Sequence, residues 1–391
     1  MAPRAYLSVQ PLSFGTSMAQ SEGIAWMQAA LARSVSGPAA ERARRFYGLL
    51  QRQTQIERRV TCLDDYTHQD WGRMRLHAPL HSGDGQAGPD AGLYGAATLD
   101  ARMELFAQTA NAIAADAFAG DAEPPDALVQ VSCTGYDSPN AVQRLAAARG
   151  WADRTRILHV GHMGCYAALP ATAMAADLAM ATAARAVPAG ADDDAAGDAR
   201  VSILLVELCT IHHDPTTTDV EQVVQQCLFA DGAARIDVTA QPRPGAFALL
   251  DHAEALLPDS LESMTWRPAD GGFRMTLARD IPERIQASVG ALVDGLLARN
   301  GLSRSDIGLF GIHPGGPRVI ESTAEALGLS GDQIRHSQAV LRERGNMSST
   351  TLPHVWAGIA EDPAVAPGTL VCSVAFGPGL TAVANLMRVG G

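Results

Sequence analysis

Twice along the chain the same succession recurs: a short apolar run, a chemically reactive residue, a glycine-flanked turn and a long helical segment. In the first half Arg156 to Val160 leads into a glycine-flanked turn, Cys165, and an Ala-, Met- and Leu-rich helical stretch to Val187. In the second, Ile307 to Ile312 leads into His313, a Pro-Gly-Gly turn and a helix through Leu327. A strand followed by a helix is the building unit of α/β proteins. Its repetition, with one reactive residue per copy, predicts a duplicated α/β fold whose active site lies between the halves.

Other segments fit this plan. Ala127 to Cys133 and Val201 to Leu208 are runs rich in Val and Leu, as expected of strands covered on both faces. Ser138-Pro139 is expected to open a helix to Arg149, with Ser138 as N-cap and proline at the first helical position; Gly150 closes it. An acidic Ala/Gly/Pro-rich loop, Gly190 to Asp198, is expected at the surface. Near Asp237 to Gly245 a strand gives way to Gln241-Pro242-Arg243-Pro244-Gly245, which divides the chain into halves 1–240 and 241–391. With 391 residues, 47% of them hydrophobic, two intimately packed domains can be buried.

Composition excludes several functions. A net charge of −12 offers no basic field for nucleic acid. The first twenty residues lack a basic start and apolar core, and no run reaches the roughly 18 apolar residues of a membrane span, so a cytoplasmic location is expected. All 30 basic residues are arginine. Without lysine there is no Schiff base and no P-loop lysine, and an anionic ligand must be held by arginines or backbone amides. The six cysteines are scattered, without the close pairs of a zinc site or disulfide framework, and are expected to be reduced.

Among candidate reactive groups, Cys165 stands at the predicted start of a helix, whose free amides and dipole would lower its thiol pKa. His159 and His162 share a metal-like spacing with Cys165, but a strand end and a helix start splay such side chains. His212-His213 are expected on a strand, facing opposite ways. His313, followed by glycines that let a substrate approach the backbone, is a candidate base or oxyanion donor. The Asn346 amide can donate to an oxyanion, with Ser348 or Ser349 capping the next helix.

Taken together, Gly164-Cys165-Tyr166-Ala167, His313 through Pro317, Gly345 through Ser349 and Phe376-Gly377-Pro378-Gly379-Leu380-Thr381 resemble, in order and separation, the type III polyketide synthases, the chalcone synthase-like branch of the thiolase superfamily. Leu99 to Arg102, Glu207 to Thr210 and Asp231 to Ala234 agree with that family too. The resemblance implies a thiolase-like five-layered αβαβα fold, a homodimer, and a Cys165, His313 and Asn346 triad. It further implies that an acyl-CoA starter is loaded on the cysteine and extended by decarboxylative condensation with malonyl-CoA. The product would be an alkylpyrone, alkylresorcinol or related compound. No metal or redox cofactor is implied.

By the same resemblance, Cys133, Ser138, His213, Met275, Gly377, Pro378 and Gly379 would line the acyl pocket, and Arg45, Arg52, Arg58 and Arg59 would meet CoA phosphates. His213 and Met275 stand for two gating phenylalanines, and Ser138 for a methionine that crosses the dimer interface. These replacements predict a roomy or elongated cavity that admits fatty acyl starters. The alternatives are an initiation-type 3-oxoacyl-acyl carrier protein synthase, a non-catalytic thiolase-like partner protein and a thioesterase-like hydrolase.

Overall fold

The computed structural model describes residues 3–77, 97–186 and 197–390. Its strands are β1 (Ala5–Leu12), β2 (Thr16–Ala19), β3 (Arg58–Thr61), β4 (Ala127–Ser132), β5 (Arg156–Gly161), β6 (Arg200–Leu208), β7 (Asp231–Thr239), β8 (Phe247–Leu256), β9 (Met264–Ala269), β10 (Gly272–Leu277), β11 (Leu309–Ile312), β12 (Leu370–Gly377) and β13 (Thr381–Arg388). The helices are α1 (Gln20–Ser34), α2 (Pro38–Gln53), α3 (Leu99–Ala117), α4 (Ala141–Ala148), α5 (Ala168–Ala186), α6 (Val220–Leu228), α7 (Ile281–Ala298), α8 (Pro317–Leu327), α9 (Gly331–Arg344) and α10 (Thr351–Glu361).

Nine strands join in the order β11-β12-β13-β8-β1-β7-β6-β4-β5. The seam is β1 with β8, where three pairs meet: Ala5 with Leu249, Tyr6 with Ala248 and Leu7 with Phe247. Outward from it both sides repeat one plan. An antiparallel neighbour comes first (β7 or β13), then a second antiparallel strand (β6 or β12), then a parallel one (β4 or β11). A further parallel strand, β5, extends the first side.

Strand alternation sorts the apolar side chains into three cores. Val129, Val131, Ile203, Val371 and Val383 point toward α5 and α10 in the middle layer. Leu128, Leu204 and Val206 face α1 to α4 on one outside, whereas Phe310, Val374, Phe376 and Leu386 face α7 to α9 on the other. The result is five layers, αβαβα. The central helix α5 is built largely from alanine, whose small side chain lets a helix sit close to the strands beside it. In α10 the fully buried Trp356 fills the middle layer and gives its indole N–H to Ser373 Oγ at 2.8 Å.

Three local expectations change. α4 begins at Ala141, two residues later than Pro139, because Asn140 makes the reciprocal cap with Gln143; Ser138–Pro139 is a cis peptide in the preceding turn. α5 begins at Ala168: Cys165 to Ala167 form a turn closed by Ala167 N–H on the Gly164 carbonyl at 3.1 Å. His212 and His213 are not on a strand, since β6 ends at Leu208 and a 3-10 turn spans Cys209–His212. The Gly190 to Asp198 loop lies, up to position 196, outside the described residues. Among the described residues no helix is long and apolar enough to cross a membrane.

Candidate active site

The C-terminal ends of the parallel strands collect the reactive residues, the usual place for a site in an α/β sheet. Cys133 follows β4, Cys165 follows β5, Glu207 lies at the end of β6 with Cys209 just after it, His313 follows β11, and Gly377 ends β12 with Pro378 and Gly379 after it. The loop from Gly345 to Thr350 crosses over them, pinned by backbone bonds from Asn346 N–H to Leu228 O at 2.9 Å and from Ala230 N–H to Asn346 O at 2.8 Å.

Cys165 is buried beside Gly164, whose φ of +86° belongs to glycine and whose missing Cβ leaves room for Pro378; a Cβ there would lie 2.6 Å from the proline ring. Burial pushes the Cys165 thiol up to about 12, against hydrogen bonds from the Ser348 and Asn346 side chains that pull it down. The lowered thiol pKa expected of a helix start is therefore not found: desolvation outweighs the backbone dipoles. Ser348 holds a left-handed φ of +52°, fixed by its N–H on Asn346 Oδ1 at 2.9 Å, and its hydroxyl lies 3.1 Å from Cys133 Sγ. Asn346 Nδ2 donates to Gly315 O at 3.1 Å, in the loop that follows His313. One asparagine thus ties the Cys165 thiol to the His313 turn.

His313 is almost fully buried, and both its ring nitrogens lack a hydrogen-bond partner. Burial pushes it down to about 3, so the imidazole is neutral. Glu207, quoted from the sequence only as part of a motif, is a hub. Its carboxylate accepts from Cys133 N–H at 3.0 Å, Thr134 Oγ1 at 2.9 Å and Ser349 Oγ. Burial raises its pKa, and burial first, with the Glu207 charge adding to it, raises the thiols of Cys133, Cys165 and Cys209. A lone carboxylate inside Val201 to Leu208 was the signal for it. Ser348 and Ser349 serve this cluster and make no side-chain cap for α10.

The cavity beside Cys165 is also lined by Cys133, His213, Met275 and Pro378, as expected, together with Thr134, Cys209, His212, Ser348, three glutamines of α6, Phe229 and the hairpin residues Met264, Trp266 and Phe273. Both histidines reach it because the 3-10 turn, unlike a strand, sets neighbours on one side. Phe229, passed over in the sequence, brings a phenyl ring to the cavity while its backbone bridges Asn346. Ser138 is exposed and does not line the cavity, and Gly379 instead donates its N–H to Met264 O at 3.1 Å. Gly377 packs on Tyr166. The cavity measures about 40 Å³. The roomy space expected from small replacements is filled by Trp266, Phe273 and His212, whose contribution from a hairpin and a 3-10 turn the sequence did not reveal.

Of the four arginines expected near CoA, Arg45 and Arg52 flank a shallow groove on α2 with Gly48 between them, and Arg58 is exposed. Arg59 is not available. The alternation of β3 turns it inward, where its guanidinium donates to Gln226 O at 2.6 Å and Phe229 O at 2.7 Å.

Known proteins resemble this chain over most of its length. The family profile for the C-terminal domain of chalcone and stilbene synthases matches residues 248–389. The alpha-pyrone synthesis polyketide synthase-like protein Pks18 of Mycobacterium tuberculosis is 30% identical over 307 residues, 75% of this chain and 74% of Pks18. The 1,3,6,8-tetrahydroxynaphthalene synthase of Streptomyces griseus is 28% identical over 257 residues, 66% of this chain and 65% of its own length. In three dimensions the chain superposes on polyketide synthase PKS-I of the brown alga Ectocarpus siliculosus with a TM-score of 0.81 at 24% identity, covering 98% of both chains. It also superposes on the tetrahydroxynaphthalene synthase of Streptomyces coelicolor with a TM-score of 0.75 at 21% identity, covering 100% of this chain and 99% of that one.

Proposed function

The chain belongs to the type III polyketide synthases, and from that premise we propose that it loads an acyl group from a CoA thioester onto Cys165 and extends it with malonyl-CoA. The observation that carries this reading is the placement of a buried Cys165 with Ser348 on one cavity, with Asn346 holding Ser348 N–H and Gly315 O beside a neutral, unpartnered His313.

In the loading step the Cys165 proton passes to a free nitrogen of His313. The sulfur attacks the thioester carbonyl, the bond to CoA breaks, and the departing CoA thiolate takes the proton back. Because both groups are buried, neither a lone thiolate nor a lone imidazolium is stable there. The proton therefore moves when both charges can form together against the substrate. In the extension step malonyl-CoA loses carbon dioxide, and its enolate oxygen is met by the Asn346 amide and a His313 N–H, donors already fixed in place. The enolate carbon attacks the acyl-Cys165 carbonyl and the Cys165 sulfur leaves. The scheme requires no cofactor beyond the CoA thioesters.

Exposed Arg45, Arg52 and Arg58 suit the CoA phosphates. The two sides of the sheet, 1–240 and 241–391, act as duplicated halves that contribute the cysteine and the His–Asn pair. β5 ends the sheet as an open edge carrying partly exposed Ile157 and Leu158, which supports pairing with a second copy. Six free cysteines fit a reducing, cytoplasmic setting. The test is incubation of the purified protein with malonyl-CoA and a panel of acyl-CoAs. A product heavier than the starter by whole malonyl-derived two-carbon units supports the reading. Hydrolysis without added carbon, or no acyl transfer at all, would support a thioesterase or a non-catalytic partner instead.

A further inference from the structure

Three rings meet at the inner wall of the cavity. His212 stacks on Phe273 with centroids 4.3 Å apart and planes 12° apart, and Trp266 stands edge-on to both, at 89° to His212 and 81° to Phe273. Two of these rings ride on the β9–β10 hairpin, whose strands pair over six residues from Met264 with Leu277 to Ala269 with Gly272.

Each part of the cluster is tied down by backbone bonds. The Trp266 indole N–H donates to Cys133 O at 2.5 Å, and the Trp266 carbonyl lies 2.8 Å from His162 Nε2. His212 Nδ1 accepts from Phe273 N–H at 3.1 Å while Nε2 donates to Thr134 O at 2.6 Å, which fixes a neutral tautomer and leaves neither nitrogen for a substrate. The Met275 carbonyl receives two amides, from Gln222 at 3.0 Å and Gln225 at 3.1 Å. The hairpin is thus fastened to the strand ends on one side and to α6 on the other.

What remains beside Cys165 is about 40 Å³. The lining contains no valine, leucine or isoleucine, and includes Thr134, Ser348 and the three α6 glutamines. An alkyl tail finds no aliphatic wall here and ends against the three rings, whereas a short acyl group stops in front of them.

We propose that His212, Trp266 and Phe273 form a fixed plug that sets the substrate class: acetyl- to butyryl-sized starters with few extensions, and exclusion of fatty acyl chains. Trp266 is the residue that sets the limit, because its ring is the largest of the three and its indole N–H is anchored on the Cys133 carbonyl. The inference rests on the acyl-loading reading above.

The experiment is a chain-length series from acetyl-CoA to dodecanoyl-CoA, with adducts read by intact mass and products by kcat/KM, on the wild type and on Trp266→Ala. The wild type is expected to load the short starters and to lose about tenfold or more in kcat/KM between butyryl-CoA and dodecanoyl-CoA. Trp266→Ala is expected to recover dodecanoyl-CoA by a similar factor. Trp266→Phe, which keeps a ring while removing the indole N–H and part of the bulk, moves the optimum by a carbon or two in the same direction and serves where the alanine variant does not fold. Equal use of all lengths by the wild type, or an unchanged optimum in both folded variants, overturns the plug while acyl loading stands. Failure of every acyl-CoA to load overturns both readings together.

Discussion

Replacing Asn346 by alanine separates the two chemical steps. The amide makes three connections: Oδ1 accepts from Ser348 N–H at 2.9 Å, Nδ2 donates to Gly315 O at 3.1 Å, and the side chain reaches the Cys165 thiol. Losing the first two strands a buried N–H and a carbonyl, a stability cost of about 2 kcal/mol. In starter loading the amide supplies one neutral hydrogen bond to the thiol, so the step should slow by roughly tenfold. In decarboxylation it faces a developing enolate in a buried site, where one lost donor is worth about 10²–10³ in rate. Conversion of malonyl-CoA to acetyl-CoA should therefore fall at least about tenfold further than single-turnover acylation of Cys165, the first followed by chromatography and the second by intact mass. An equal loss of both steps in a folded variant would mean that Asn346 only shapes the loop, and would refute the role assigned to it.

Other outcomes follow from particular contacts. Arg52→Ala should raise KM for acyl-CoA without changing the unfolding midpoint, whereas Arg59→Leu, which strips two buried carbonyls of a charged donor, should lower stability by about 3 kcal/mol in urea titration. Gly377→Ala puts a Cβ 2.1 Å from Tyr166 Cδ1, so loss of about 3 kcal/mol or more, read as a fall in Tm, is expected. Burial holds His77, His212 and His313 near 3 and His354 near 4, all below the unfolded value of about 6.5. Their stabilisation is complete above that unfolded value and is lost as pH falls toward the folded ones. By pH 5.5 each should cost about 1 kcal/mol, visible as a drop in urea midpoint from pH 7 that variants such as His354→Gln partly abolish.

Much of this was legible in the sequence because it is local. The repeated strand, reactive residue, turn and helix placed Cys165 and His313 each after a parallel strand, and apolar runs such as Val201 to Leu208 marked strands covered on both faces. Properties set by distant neighbours were not legible. The thiol of Cys165 follows its burial and not the nearby helix start, because desolvation comes from residues of both halves. Arg58 and Arg59 are chemically alike, yet a one-residue alternation in β3 sends one to solvent and the other under Phe229. The size of the cavity depends on a hairpin that folds back over Cys133, about 130 residues away in sequence, and no local pattern in Met264 to Leu277 announces where its rings will land.

The most direct test of the central claim is to find the atom that carries the acyl group. Three cysteines, Cys133, Cys165 and Cys209, line the same cavity, so the position of the thioester discriminates among neighbours and not merely among distant sites. After rapid quench with acetyl-CoA, peptide mapping should place the acetyl group on Cys165 alone, and Cys165→Ala should carry none and form no extended product. An acetyl group on Cys133 or Cys209 in the wild type, or extended product from Cys165→Ala, would contradict the account.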